Sequence, residues 1–205
     1  MSSTNNREQH RELATLDRVP LPVEAARIGV TGWQLTRTAL RILPTLAGKG
    51  SLQDKVVKQI PKTFSDLGPT YVKFGQIIAS SPGAFGEQLS REFRTLLDAV
   101  PPADTAEVHK LFKEELGADP ADLFASFDEE PFASASIAQV HFATLHTGEE
   151  VVVKIQRPGI RRRVAADLQI LKRFAQMVEL AKLGRRLSAQ DVVADFADNL
   201  AEELD

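Results

Sequence analysis

The residues best suited to chemistry lie between positions 133 and 154. A run of small side chains, Ala133-Ser134-Ala135-Ser136, leads into one β-rich segment, and Val151-Val152-Val153-Lys154 occupies the next. Small side chains let backbone N–H groups approach the oxygens of a nucleotide phosphate. A lysine on the following strand can then neutralise phosphate charge while pairing with a helix glutamate. Alone, the Val-Val-Val-Lys strand is a weak signal, because a lysine on an edge strand is more often a solvated charge. Other chemistries find less support. His10, His109, His141 and His146 do not fall at metal-ligand spacing and read as structural or solvent-facing. No serine carries the local signature of a hydrolase nucleophile. The chain has no cysteine, which excludes a disulfide scaffold, a thiolate metal site and a cysteine nucleophile, and fits a reducing compartment.

These residues need a frame. Ile137 to Leu145 alternates around Ile137, Gln139, His141 and Ala143; His146-Thr147-Gly148 makes a turn; Glu149 to Gln156 carries Val151, Val152, Val153 and Ile155. Two such runs around a short Gly-containing turn predict a β-hairpin, ended by Arg157-Pro158-Gly159. Helices are expected on both sides. Upstream they run from Pro22 to Leu46, from Leu52 to Leu67 with a break or kink at Pro61, from Thr70 to Ala79 and from Glu87 to Ala99. Ser80 to Gly86 reads as a turn-rich connection, and Asp104 is a candidate N-cap for a helix ending at Gly117. Downstream, helices span Arg161 to Leu183 and Ser188 to the end. Helices, a hairpin and helices again make an α+β order.

Two segments have an unusual character. On the helix from Pro22, the polar residues Glu24, Arg27, Thr31, Gln34, Thr38 and Arg41 are spaced 3, 4, 3, 4, 3 and form one narrow stripe. Almost everything else is apolar, including Trp33, with Arg37 off the stripe. So wide an apolar face suits a membrane interface with Arg27, Arg37 and Arg41 near anionic lipid, and equally a helix packed on its own domain. At the other end, six acids from Asp191 to Asp205 and no base crowd a helix terminus that has no stop signal. Carboxylates there oppose the helix dipole, so the expectation is a chain cut in mid-domain.

Composition sets the outer bounds. The 205 residues suffice for one domain with a helical extension; apolar residues are 43% and charged residues 26%, which argues against wholesale disorder. A formal net charge of -3 gives no basic field for nucleic acid. Arg157, Arg161, Arg162 and Arg163 form a basic run that could meet anionic lipid, though a solvated helix start is the plainer reading. No secretory signal is visible at Met1 to Arg11, and no apolar run approaches the roughly 20 residues of a membrane span.

Three blocks, in order and spacing, resemble the UbiB (AarF-like) family of atypical kinase-like proteins. Leu67-Gly68-Pro69-Thr70-Tyr71-Val72-Lys73-Phe74-Gly75-Gln76 is similar to its Lys-x-Gly-Gln element. Pro131 to His141 is similar to its alanine-rich nucleotide loop, and Val151 to Ile160 to its lysine strand. Asp167-Leu168 and Glu203-Leu204-Asp205 also fit, so the resemblance covers about 67–205. It implies a protein-kinase-like N-lobe, a β-hairpin plus helices, with a helical N-terminal extension and without the C-lobe. It implies ATP held by Ala133, Ser134, Ala135, Ser136 and Lys154, and Mg²⁺ whose ligands are expected beyond Asp205. Lys73, Gly75 and Gln76 form the regulatory element, with Lys73 across the active site. A lysine there needs a carboxylate partner, Glu203 or Asp205. The glutamate for Lys154 is expected past the C-terminus, or is Glu203.

Residue pattern and resemblance together divide the chain into a mobile polar arm (1–20), an amphipathic helix (21–51), a helical extension (52–118) and a partial, truncated N-lobe (119–205). Two departures stand out. Ala138 takes the place of a usual glycine, and Ser81-Pro82-Gly83 that of a usual Arg-Pro-Asp. Nothing resembles the catalytic-loop Asp or the metal-binding Asp-Phe-Gly, so the chain alone is expected to be inactive. The implied function is an atypical kinase or ATPase supporting isoprenoid-quinone or lipid metabolism. Its expected partners are adenine nucleotide and, with quinone-pathway proteins, an anionic membrane surface on the cytoplasmic side. The alternative is a non-catalytic helical module at a membrane surface, and the plainest is an α+β domain with no ligand.

Overall fold

The computed structural model describes residues 21–43, 51–94, 101–180 and 188–204, and no side-chain detail for 52 and 53. The expected arm 1–20, most of the loop 47–51, the end of the helix expected to reach Ala99, and Asp205 lie outside that set. The elements are α1 (Leu21–Ile42), α2 (Leu52–Leu67), α3 (Pro69–Ser80), α4 (Pro82–Phe85), α5 (Glu87–Phe93), α6 (Thr105–Leu116), α7 (Pro120–Leu123), β1 (Ser126–Phe127), β2 (Ala133–Ser134), β3 (Ala138–Thr144), β4 (Glu150–Gln156), α8 (Ile160–Leu180) and α9 (Ala189–Leu204). They form two compact units, Met1–Asp98 with Arg161–Asp205, and Ala99–Ile160. The mixed, helix-rich architecture with a small antiparallel sheet is the α+β class expected, of the kind a kinase-like N-lobe has.

The first unit is helical. Ser51 caps α2 by accepting from Asp54 N–H, and α2 runs on through Pro61 without interruption. Gly68, at φ 109°, ends α2 and starts α3, a backbone state that a side chain would strain. α3 is the most enclosed helix described, with Thr70, Tyr71, Val72, Phe74, Gly75, Ile78 and Ala79 buried. Phe64 meets Tyr71 and Phe93 edge-on, and Phe74 lies 4.9 Å from Phe196 of α9. Ser188 caps α9 by accepting from Asp191 N–H, and its hydroxyl donates to Glu179.

α1 reverses an expectation. Its polar stripe faces the protein. Arg27 bonds Asp167 and the Leu67 carbonyl, Gln34 the Asp66 carbonyl, Thr38 the Thr63 hydroxyl and Arg41 the Asp66 carboxylate. Glu24 takes a hydrogen bond from Arg173, and Thr31 is buried. The apolar side looks outward, with Trp33 64%, Leu35 55% and Leu40 58% exposed. Arg27 and Arg41, expected near anionic lipid, are therefore held inside by carboxylates.

The second unit is a small sheet on a helix. β3 is central, antiparallel to β4 on one edge and to β1 and β2 on the other. Asp104 caps α6 and Gly117, at φ 74°, ends it, both as expected. Val108 and Phe112 of α6 pack with Ile155 of β4, surrounded by Leu123, Phe124, Phe127 and Val153. β1 and β2 are two residues each and have no period of their own, so neither is among the expected elements.

Candidate functional site

The expected nucleotide loop is a tight hairpin. Ala133 and Ser134 pair with Val140 and Gln139, and Ala135 N–H closes the turn on the Ala138 carbonyl at 2.8 Å. Ala133, Ser134 and Ala135 are exposed, whereas Ser136 is buried. The strand then carries on as β3 and turns through Gly148 into β4, where Lys154 stands opposite Val140.

Directly opposite residues share a face, and faces alternate along a strand. Val140 and Lys154, then Phe142 and Val152, therefore lie on one face of the sheet. Gln139 and Ile155, then His141 and Val153, lie on the other. The second face packs on α6. The first is open: Lys154 is exposed, and so are Val152, Phe142 and Phe132, the last two stacked at 4.5 Å. An open groove of about 560 Å³ lies over the Phe142 end, lined by Ser126, Asp128, Phe142, Thr144, Glu150 and Val152 among others, and does not include Lys154 or the 133–136 loop. The sheet thus places a cation, an apolar strip and a small-residue hairpin on one unit. That arrangement suits a ligand with a flat apolar part and an anionic part.

Beneath the open face lies a polar relay that sequence reasoning missed. Gln139 Oε1 accepts from Ala103 N–H at 2.7 Å, and Gln139 Nε2 is 2.8 Å from His141 Nε2. His141 Nδ1 is 2.7 Å from the Asp128 carbonyl, an acceptor only. The consistent assignment is a neutral imidazole with its proton on Nδ1, receiving the Gln139 amide at Nε2. His141, stacked on Phe127, is thus a structural group of the core. Its alternation with Gln139 and Ala143 was the available signal.

Arg157 was also read differently. The sequence assigns it to a basic run, but its guanidinium donates to the Ala135 carbonyl, the Ser134 hydroxyl and the Pro101 carbonyl. The signal lay in Pro158 and Gly159. They turn the chain immediately after β4, with Ile160 N–H on the Arg157 carbonyl, and so fix where the arginine starts.

In the first unit, Lys73, Gly75 and Gln76 sit on α3. Lys73 Nζ bonds Glu203 Oε1 of α9, so Glu203, of the two carboxylates considered, holds this lysine. Both side chains keep partial solvent access, which limits the contribution of the pair. Among the described residues no three His, Cys, Asp or Glu converge to hold a metal ion.

Comparison with known proteins adds the following. Residues 95–205 match the ABC1 atypical kinase-like domain. The chain is similar to an uncharacterized protein of Mycobacterium tuberculosis, 82% identical over 196 residues, 96% of this chain and 40% of the relative. A probable protein kinase UbiB of Azotobacter vinelandii is 46% identical over 141 residues, 68% of this chain and 26% of the relative. Among solved structures, a Mycobacterium tuberculosis protein in complex with erythromycin is 27% identical with a TM-score of 0.42, covering 86% of this chain and 40% of that one. The chain spans 40% or less of the length of these relatives.

Proposed function

The chain belongs to the ABC1 atypical kinase-like family, and from that premise we propose that it holds ATP on the open face of its sheet, as part of an atypical kinase or ATPase. The observation that carries this reading is the single face shared by Lys154, Val140, Val152 and Phe142, continuous with the 133–136 hairpin. The valines and Phe142 offer apolar surface for a base, Lys154 a charge for phosphate oxygens, and the hairpin close backbone approach. Mg²⁺ would neutralise the phosphates. Its carboxylates are proposed to come from beyond this chain, as is the partner of Lys154, since Glu203 already carries Lys73.

Titration calorimetry with Mg-ATP tests this on the chain carried to the length of its relatives and on the 205 residues alone. The longer form should bind and the shorter bind weakly or not at all. Lys154→Ala in the longer form should weaken binding by about 1.5–3 kcal/mol. No binding by the longer form, or equally tight binding by both, overturns the reading.

A specific observation favours a membrane surface as the place of action, in support of isoprenoid-quinone or other lipid metabolism. The outward side of α1 is apolar but for Thr36 and Arg37, and Arg37 is its one charge. Among the described residues no helix is long and apolar enough to cross a membrane, so contact would be parallel to the surface. Vesicle binding by a protein that fails to bind nucleotide would instead favour a non-catalytic surface module.

A further inference from the structure

We propose that Arg157 is a positioning residue of the nucleotide loop, holding the loop's carbonyls away from phosphate so that its amides face the ligand. This deepens the ATP reading above and rests on it.

The contacts define the role. Arg157 Nε and Nη2 lie 3.2 and 3.1 Å from the Ala135 carbonyl, and Nη2 lies 2.9 Å from Ser134 Oγ and 2.7 Å from the Pro101 carbonyl. Its own backbone N–H donates to the Ile137 carbonyl at 2.9 Å. One residue therefore takes both the 135 and the 137 carbonyls. Ala135 N–H is spent on Ala138, while the amides of Ser136 and Ile137, two residues buried at the foot of the loop, donate to no backbone carbonyl among the described residues.

Physically, a phosphate repels a carbonyl oxygen and attracts an N–H, so a short loop binds phosphate only if its acceptors are engaged elsewhere. Glycine-rich loops leave this to backbone freedom. Here Ala133 and Ala135 restrict that freedom, and a guanidinium supplies the restraint. Nη2 has two hydrogens for three acceptors, so the clamp depends on the planar fork and not on charge alone. Pro158 and Gly159, at φ 66°, fix the origin of the side chain.

Arg157→Ala and Arg157→Lys test this by two readouts, amide hydrogen exchange of residues 134–138 in the 205-residue chain and ligand affinity in the longer form. Both variants should raise exchange in the loop. Affinity for ATP should fall about tenfold in Arg157→Ala while affinity for adenosine changes less than about twofold, because only phosphate reads the loop. Arg157→Lys should restore only part of the loss. Equal losses for ATP and adenosine indicate general destabilisation and overturn the proposal, and so does full rescue by lysine with the loop still loosened. If the parent binds no nucleotide while Arg157→Ala still loosens the loop, the ATP reading fails. The clamp is then structural only, and the positioning role is overturned with it. Arg157→Gln, which keeps a donor and the stem, replaces the alanine variant if that unfolds.

Discussion

Arg27 on α1 meets Asp167 on α8 across 140 positions of sequence, with Nε 2.8 Å and Nη2 2.5 Å from the same carboxylate oxygen. Asp167 is fully buried, and Thr70 and Tyr71 of α3 lie beside it. Burial pushes the Asp167 carboxyl above the usual range, opposed by the Arg27 guanidinium. Arg27 Nη2 also donates to the Leu67 carbonyl at the end of α2, so this one side chain ties α1 to both α2 and α8.

Removing one partner of this pair should be costly. Arg27→Ala leaves a buried carboxylate uncompensated and should destabilise the chain by about 3 kcal/mol in chemical denaturation. Replacing both partners, Arg27→Met with Asp167→Leu, should cost less than about 1 kcal/mol. With the arginine gone the folded carboxyl is raised further, so the folded state binds the proton more tightly than the unfolded state. The deficit of Arg27→Ala should therefore shrink as pH is lowered from neutral and the carboxyl takes up its proton. A deficit independent of pH would show that Asp167 is not the group left exposed to burial.

Tyr71 offers a spectroscopic check, since it is the only tyrosine. Burial, then the Asp167 charge, raises its phenol from 10.0 to about 12. The folded state keeps this proton where the unfolded chain loses it, so stability falls as pH rises from about 10 to about 12. Phenolate absorbance should stay flat through pH 10 and appear together with the loss of circular dichroism. Reversible ionisation near 10 without unfolding would place the ring in solvent.

Ala135→Gly should change the loop without touching Lys154. The added freedom should alter affinity for ATP or the preference between ATP and ADP in the longer form, by about threefold or more. Unchanged affinity for both would mean that the hairpin does not meet the nucleotide.

The α1 face predicts a particular salt response. Arg27 and Arg41 are paired inside, which leaves Arg37 as the outward charge, at roughly 1 kcal/mol near an anionic surface. Flotation with vesicles should therefore persist at high salt, and Trp33, the only tryptophan, should shift to the blue on binding. Leu40→Asp should abolish flotation, whereas Arg37→Ala should weaken it slightly. Steep loss with salt would point to a basic patch other than this helix.

Much of this protein is legible in its sequence because the responsible interactions are local. The hairpin follows from alternation around His146-Thr147-Gly148, α6 from Asp104 and Gly117, α9 from Ser188, and the asymmetry of α1 from a stripe spaced 3, 4, 3, 4, 3. For the same reason the two strands of the hairpin, the second carrying Lys154, could be placed after the alanine-rich segment. β1 and β2 could not be found, because two-residue strands exist only through pairing with β3.

Which way α1 turns its stripe was a different matter. Periodicity establishes that a helix has two faces, but the side that is buried depends on what the neighbouring surface offers. Here it offers the Asp66 and Asp167 carboxylates and two carbonyls, so the polar side goes in and the apolar side out. The partner of Lys73 and the task of Arg157 were settled the same way. Each depends on groups brought close by packing, Glu203 from 130 positions away and the Ala135 carbonyl from 22, and one-dimensional spacing carries no such distance.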